Sequence, residues 1–258
     1  MLNGVFFPTG FGCALHARDS VTFAIANHHQ CIRGVEVFEG IFSLPADPTA
    51  AQKISALLQQ ARVVIDRVLA RGFFAPGPLL VTAGGSAFFE QVAFELGSVR
   101  SPDFVFILRG GCYLTHDHEM YEQTLSNPAY LPASATSLPT PLRPALEVWG
   151  YVQSRPELQL AIASFGKRDA SYDLGMPKPL GWRRPALHNC TQMFDGTVTV
   201  RALNDQHAYI QLPVGHVLEV GEQIGVGISH PCTTFDKWQL LYLVDDEYNV
   251  TGGIRTFF

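Results

Sequence analysis

Lysine, paired cysteine, runs of like charge and long apolar stretches are what this sequence has least of. No apolar stretch approaches the roughly 18 to 20 residues that span a bilayer as a helix, and the start "MLNGVFFPTGFG" lacks the basic opening and cleavage pattern of a secretory signal. The expected location is the cytoplasm. The net charge is only -5 and no block of one sign occurs, which argues against nucleic acid and membrane surfaces as partners. Five cysteines, Cys13, Cys31, Cys112, Cys190 and Cys232, are odd in number and without paired spacing, so a disulfide framework is not indicated. There are four lysines in all, Lys53, Lys167, Lys178 and Lys237, and any chemistry that needs a lysine amine must choose among them.

What is present reads as one large or two ordinary globular domains: 258 residues, 47% of them apolar. In the first half "CIRGVEVFEG", "PLLVTAGGS" and "DFVFILRGGCYLT" are short apolar strands. Between them "ADPTAAQKISALLQQARVVIDRVLARG" and "AFFEQVAFELGS" carry apolar residues at helical spacing. Strand, helix, strand, helix, strand is the pattern of a parallel sheet with crossover helices. After the Pro- and Ser-rich connector "NPAYLPASATSLPTPLRP" the period changes. "ALEVWGYVQS", "LQLAIAS", "VTVRALNDQHAYIQL", "EQIGVGIS" and "LYLVDDEYNVTGGIRTFF" read as strands of an antiparallel domain, with turns expected at Asp195-Gly196 and Gly252-Gly253. The boundary falls near residue 142.

Two features carry chemistry. "VTAGGS" puts Gly84, Gly85 and Ser86 at the carboxyl end of a predicted parallel strand and before a helix, where free amides suit a phosphate; "LRGGCY" repeats the arrangement, with the Tyr113 hydroxyl able to reach the same place. The other reading of such glycines is a tight turn. In "GVGISHPCTTFDKW", His230 and Cys232 stand two residues apart. On an extended strand they share a side and can chelate a borderline-soft ion such as zinc with open positions left over; otherwise they are a satisfied histidine and a structural cysteine. His207 in "NDQHAY" is expected on a neighbouring strand, as a proton carrier or a half-exposed strand histidine. "THDHEMY", with His116, Asp117, His118 and Glu119, suggests a metal site by composition, and a solvated turn equally. "FGKRDASYD" reads as solvated or structurally paired charge.

Taken in order, "GVEVFEG", "VTAGGSAFFEQV", "LRGGCYLTHDHEMY", "ASFGKRDASYD", "LNDQHAYIQL" and "ISHPCTTFDKW" resemble the D-threonine aldolase and D-serine dehydratase family, most closely the bacterial amino acid deaminases. The resemblance implies the C-terminal portion of an alanine-racemase-like (β/α)8 barrel, about three βα units over 1–142, followed by a D-serine-dehydratase-like antiparallel β domain with a metal site over 143–258. It implies pyridoxal phosphate (PLP) on Gly84, Gly85, Ser86 and Tyr113. It also implies Zn2+ or another divalent metal on His230 and Cys232, and a homodimer or an N-terminal barrel partner. The expected activity is that of a PLP- and zinc-dependent lyase acting on D-3-hydroxy amino acids, by deamination and dehydration of D-serine or D-threonine or by retro-aldol cleavage. PLP serves such reactions as an electron sink at the substrate α-carbon, and the metal takes up negative charge on the substrate oxygen.

The chain departs from this family at one point. The family's PLP-binding lysine lies on the first barrel strand, in a segment upstream of "GVEVFEG" that has no counterpart here, and a closed barrel needs eight strands. The expectation is a truncated form whose catalytic lysine is unassigned, with His207 as the candidate acid or base. The alternative is a non-catalytic remnant, or a metal- or anion-binding domain that lacks the Schiff-base lysine.

Overall fold

Asp47 starts the longest helix. Its carboxylate accepts the amide and hydroxyl of Thr49 at 2.8 and 2.6 Å and the Lys53 ammonium at 2.7 Å. Helix α1, Ala50–Ala70, follows directly. Its buried positions Ala50, Ile54, Leu57, Leu58, Ala61 and Ile65 recur at three- and four-residue steps and form one face. That face packs on the apolar side of a sheet built from β2 (Gly34–Val37), β3 (Leu79–Ala83) and β4 (Phe104–Leu108), through Val35, Val37, Leu79, Val81, Ala83 and Phe104. Helix α2, Phe89–Gly97, adds Val92 and Leu96 to the same core, and Gln91 ties it to α1 by donating to the Ala51 carbonyl at 3.1 Å. Each fully buried Leu or Ile in this layer contributes about 1.5–3 kcal/mol.

This computed structural model describes residues 5–6, 33–42, 47, 49–70, 75–85, 88–97, 104–125, 142–185 and 191–257. The chain divides into two compact units, the first Met1–Tyr113 with Gln123–Pro141, the second Leu114–Glu122 with Leu142–Phe258.

In the first unit β2, β3 and β4 are parallel and adjacent, with Gly34 opposite Leu80 and Leu79 opposite Phe104. A two-residue strand β1, Val5–Phe6, pairs antiparallel with β2 at the edge. The expected βα pattern is therefore present, in a sheet of four strands among the described residues. Val105 and Ile107, on the face of β4 turned away from the helices, are 40% and 42% exposed.

The second unit is a seven-stranded sheet with the order β8-β7-β11-β5-β6-β10-β9 and antiparallel pairing throughout. Its strands are β5 (Glu147–Glu157), β6 (Leu160–Ala163), β7 (Lys178–Arg183), β8 (Thr191–Met193), β9 (Thr199–Leu203), β10 (Ala208–Gln211) and β11 (Gln223–Gly227). Val148, Val152, Phe165, Trp182, Val200, Ile210, Leu218, Ile224, Val226 and Ile228 make its core. The segment Leu114–Glu122 joins this unit: Ala145 N–H donates to the Thr115 carbonyl at 2.8 Å, and His118 N–H to the Ile228 carbonyl at 2.9 Å. Short helices α3 (Met120–Leu125) and α4 (Cys232–Phe235) and a hairpin of β12 (Leu240–Val244) with β13 (Val250–Arg255) complete the chain.

Gly252-Gly253 is not a turn. Both glycines pair within β13, opposite Leu243 and Tyr242. The chain reverses earlier because Asp245 accepts the amides of Glu247 and Asn249 at 3.0 and 2.8 Å.

Candidate functional site

In the first unit three strand-end loops meet. Gly84 has φ +124°, a left-handed conformation, and a Cβ there would lie 3.1 Å from the Gly110 nitrogen. Gly85 is buried against Gly40, and its N–H donates to Glu39 Oε1. Glu39 is itself fully buried, and its Oε2 has no partner among the described residues. The cation beside these loops, Arg109, is committed as well. It pairs with Glu36 at 2.7 Å and donates at 3.0 Å to both Thr82 Oγ1 and the Val37 carbonyl. Ser86 lies outside the described residues, and of Tyr113 only the backbone is described, in a 3-10 turn at Gly111–Leu114.

Of these residues, Gly85 as described does not fit the phosphate of PLP. The Gly85 amide already serves a carboxylate, and a second anion beside it would be repelled. Nor is a lysine present in β2, β3, β4 or the described loops that follow them. Lys53 is in α1 and bonded to Asp47, Lys178 pairs with Glu122 at 2.9 Å, Lys237 with Asp236 at 4.0 Å, and Lys167 sits 5.3 Å above the Tyr172 ring.

In the second unit the chain leaves β11 through buried Ile228 and Ser229 and reaches His230. The His-x-Cys pair does not lie on an extended strand. Pro231 has φ −55° and ψ −39°, helical values, and Cys232 opens α4. Proline at the entry of a helical turn forfeits no hydrogen bond, since its missing N–H would have had no partner there. His230 therefore stands just ahead of a helical turn that Cys232 opens, and Cys232 is exposed.

The loop that carries "FGKRDASYD" supplies the partners of this turn. His230 Nδ1 is 2.6 Å from Asp173 Oδ2, and His230 N–H donates to Ser171 Oγ at 3.0 Å. Thr233 Oγ1 donates to Asp173 Oδ1 at 3.2 Å, and Ser171 N–H to Thr234 Oγ1 at 3.1 Å. Asp173 titrates below the ordinary carboxylate range. Burial pushes it up, but hydrogen bonds from His230, its own amide and Thr233, with the His230 charge, outweigh that. A carboxylate only accepts, so Nδ1 carries the proton that faces Asp173, and whenever the ring is neutral its lone pair is on Nε2. This donor set, an oriented imidazole and an exposed thiol, fits a divalent cation with open positions. Among the described residues no cluster of three or more His, Cys, Asp or Glu side chains suited to a metal exists.

The other candidates fall elsewhere. His207 is exposed in the turn before β10 rather than on a strand, its carbonyl accepting the Asn204 amide at 2.8 Å. "THDHEMY" is a structural plug. Asp117 caps α3 by accepting the amides of Glu119 and Tyr121 at 2.8 and 3.0 Å. His118 lays its ring on the α-carbon of Gly227, where a Cβ would come within 2.2 Å of the imidazole. Burial, helped by the Lys178 charge and opposed by Glu122, holds His118 down at about 4.

Comparison with known proteins agrees with this architecture. Residues 145–244, within the second unit, match the putative serine dehydratase domain. Among solved structures the chain is similar to D-threonine aldolase from Filomicrobium marinum, with a TM-score of 0.65 at 20% identity, over 90% of this chain and 56% of the aldolase. D-threo-3-hydroxyaspartate dehydratase from Delftia sp. HT23 gives a TM-score of 0.62 at 14% identity, over 96% of this chain and 63% of the dehydratase. Two variants of a D-threo-3-hydroxyaspartate dehydratase also match. One has a cysteine changed to alanine and is in the metal-free form, with a TM-score of 0.63 at 14% identity over 96% and 63% of the two chains. The other has a histidine two positions earlier changed to alanine, with a TM-score of 0.50 at 13% identity over 93% and 68%. At these identities the likeness is one of fold, and the chain spans 56% and 63% of the lengths of the aldolase and the Delftia dehydratase. No curated protein sequence matches the chain. Among the described residues no helix is long and apolar enough to cross a membrane.

Proposed function

We propose that the second unit holds Zn2+ or another divalent cation through His230 and Cys232 and forms the metal-bearing part of a cytoplasmic lyase for D-3-hydroxy amino acids. The observation that carries this reading is the 2.6 Å contact of Asp173 with His230 Nδ1. It turns the lone pair of the neutral ring to Nε2, as outer carboxylates do for metal-bound imidazoles. Ser171 and Thr233 fix the backbone and the carboxylate of that pair. A cation held there supplies Lewis acidity toward a substrate hydroxyl. The substrate class is supported by the names of the similar aldolase and dehydratase, and the metal by the metal-free dehydratase variant.

Because Gly85 is engaged by Glu39 and no lysine stands at the described strand ends, the lyase reading includes an amine from outside these residues, supplied by an N-terminal barrel partner. The half-exposed Val105 and Ile107 on β4 supply an apolar face for such a partner. The second reading is a non-catalytic remnant or metal-binding domain that lacks the Schiff-base lysine, in keeping with the absence of a lysine at the described strand ends. Elemental analysis after zinc loading and desalting tests the shared core of both readings. We expect a stoichiometric metal in the native chain and none in His230→Ala or Cys232→Ala; full retention in both variants would refute the site. Lyase turnover of D-threonine or D-serine only on adding the barrel partner then separates the two readings.

A further inference from the structure

We infer that Glu39 is a built-in anion of the first unit: its carboxylate occupies the Gly85 amide at the strand-end loop and keeps phosphates out. The geometry leaves little freedom for another arrangement. Glu39 is fully buried, and its own carbonyl accepts the Phe42 amide at 3.0 Å, which fixes the turn that presents the side chain. Gly40 and Gly85 touch so closely that a Cβ on Gly85 would lie 3.1 Å from both the Gly40 α-carbon and Glu39 Oε1. Each backbone amide offers one donor, and the Gly85 donor is spent. A phosphate arriving here would meet a buried negative charge whose Oε2 has no partner among the described residues. Arg109, the cation at hand, is already neutralised by Glu36. The two glycines then have a different role from a phosphate cradle. Gly84 admits the Arg109–Gly110 backbone and Gly85 admits Glu39, so the ends of β2, β3 and β4 close on one another.

This inference concerns the first unit alone and does not rest on the metal reading. Its test therefore reads PLP and phosphate, not zinc. The chain, labelled with nitrogen-15, is titrated with PLP and separately with inorganic phosphate while the Gly85 amide resonance is followed, and equilibrium dialysis gives the stoichiometry. We expect no saturable binding and an unmoved Gly85 amide in the native chain. Glu39→Gln keeps the shape and an oxygen acceptor but replaces the charge with an amide donor, and should bind phosphate about tenfold or more tightly than the native chain. Saturable PLP or phosphate binding that shifts Gly85 in the native chain overturns the inference. So does a Glu39→Gln chain that melts like the native one yet gains no affinity. If Glu39→Gln fails to fold, the native titration alone decides.

Discussion

Asp173 and His230, 57 residues apart in sequence, meet at 2.6 Å through a carboxylate oxygen and Nδ1. The contact predicts a graded response at the metal site. Asp173→Asn keeps an oxygen acceptor but removes the charge that favours the Nδ1–H tautomer, so zinc affinity should fall about 10–100-fold with the fold intact. His230→Ala should abolish binding. Competition against a chromophoric chelator measures both, and an Asp173→Asn chain with native affinity would show that the carboxylate has no part in orienting the imidazole.

His118 makes stability depend on pH. Its folded value is about 4, against 6.5 for an ordinary histidine, so as pH falls the unfolded chain takes up its proton first. Stability is therefore intact above pH 6.5, declines between 6.5 and 4, and below that has lost on the order of 3 kcal/mol from this group. His118→Phe keeps a ring over Gly227 and removes the titration. Urea unfolding across this window should show a flatter profile in that variant, and identical slopes would place the pH dependence elsewhere.

The βα alternation of the first unit was legible because β2, β3 and β4 are apolar runs and α1 keeps one apolar face. Strand β7 was not. "KPLGWR" contains Pro179 and Gly181 and lacks alternation, and its pairing with β11 slips next to Pro179. A proline is tolerated in a sheet at such an irregularity, where no ladder hydrogen bond is owed. The His-x-Cys spacing at 230 and 232 suggested an extended geometry, which is not the one adopted, because Pro231 turns the chain into α4. Asp173, Ser171 and Glu39 carried no local signal. Their roles come from loops that tertiary structure brings together, and "FGKRDASYD" resembles a solvated charge cluster until its partner loop is in place.

Gly227 predicts a packing coupling. Strand β11 is covered on both faces near its end, and the imidazole of His118 fills the space where a side chain would stand. Gly227→Ala should cost about 1–3 kcal/mol, because a Cβ 2.2 Å from His118 Cγ forces the plug segment away. Adding His118→Ala should recover part of that loss. Strict additivity in a double-mutant cycle by thermal unfolding would mean that ring and glycine do not share this space.

Tyr248 fastens the tip of the β12–β13 hairpin. It stands in a left-handed conformation, φ +63°, and its hydroxyl donates to Glu147 Oε2 at 3.1 Å, an oxygen that also accepts the Trp149 indole N–H at 2.8 Å. Arg183 lies 4.8 Å from the Trp149 ring and 5.5 Å from the Tyr248 ring. Burial, then the Glu147 charge and hydrogen bond, push the phenol up to about 12, so the donor persists through neutral and moderately alkaline pH. Both strands of the hairpin expose apolar side chains, among them Tyr242, Val250 and Ile254, and an isolated two-stranded ribbon is marginal in water. The tip contact should therefore control whether the ribbon stays docked. Tyr248→Phe keeps the ring over Arg183 and removes one hydrogen bond to a carboxylate, a loss of about 1.5–3 kcal/mol. Amide exchange should quicken across Leu240–Val244 and Val250–Arg255 and remain unchanged in the β5–β6 and β11 ladders. Uniform acceleration through the whole sheet would instead make the hairpin part of the same cooperative unit as the core.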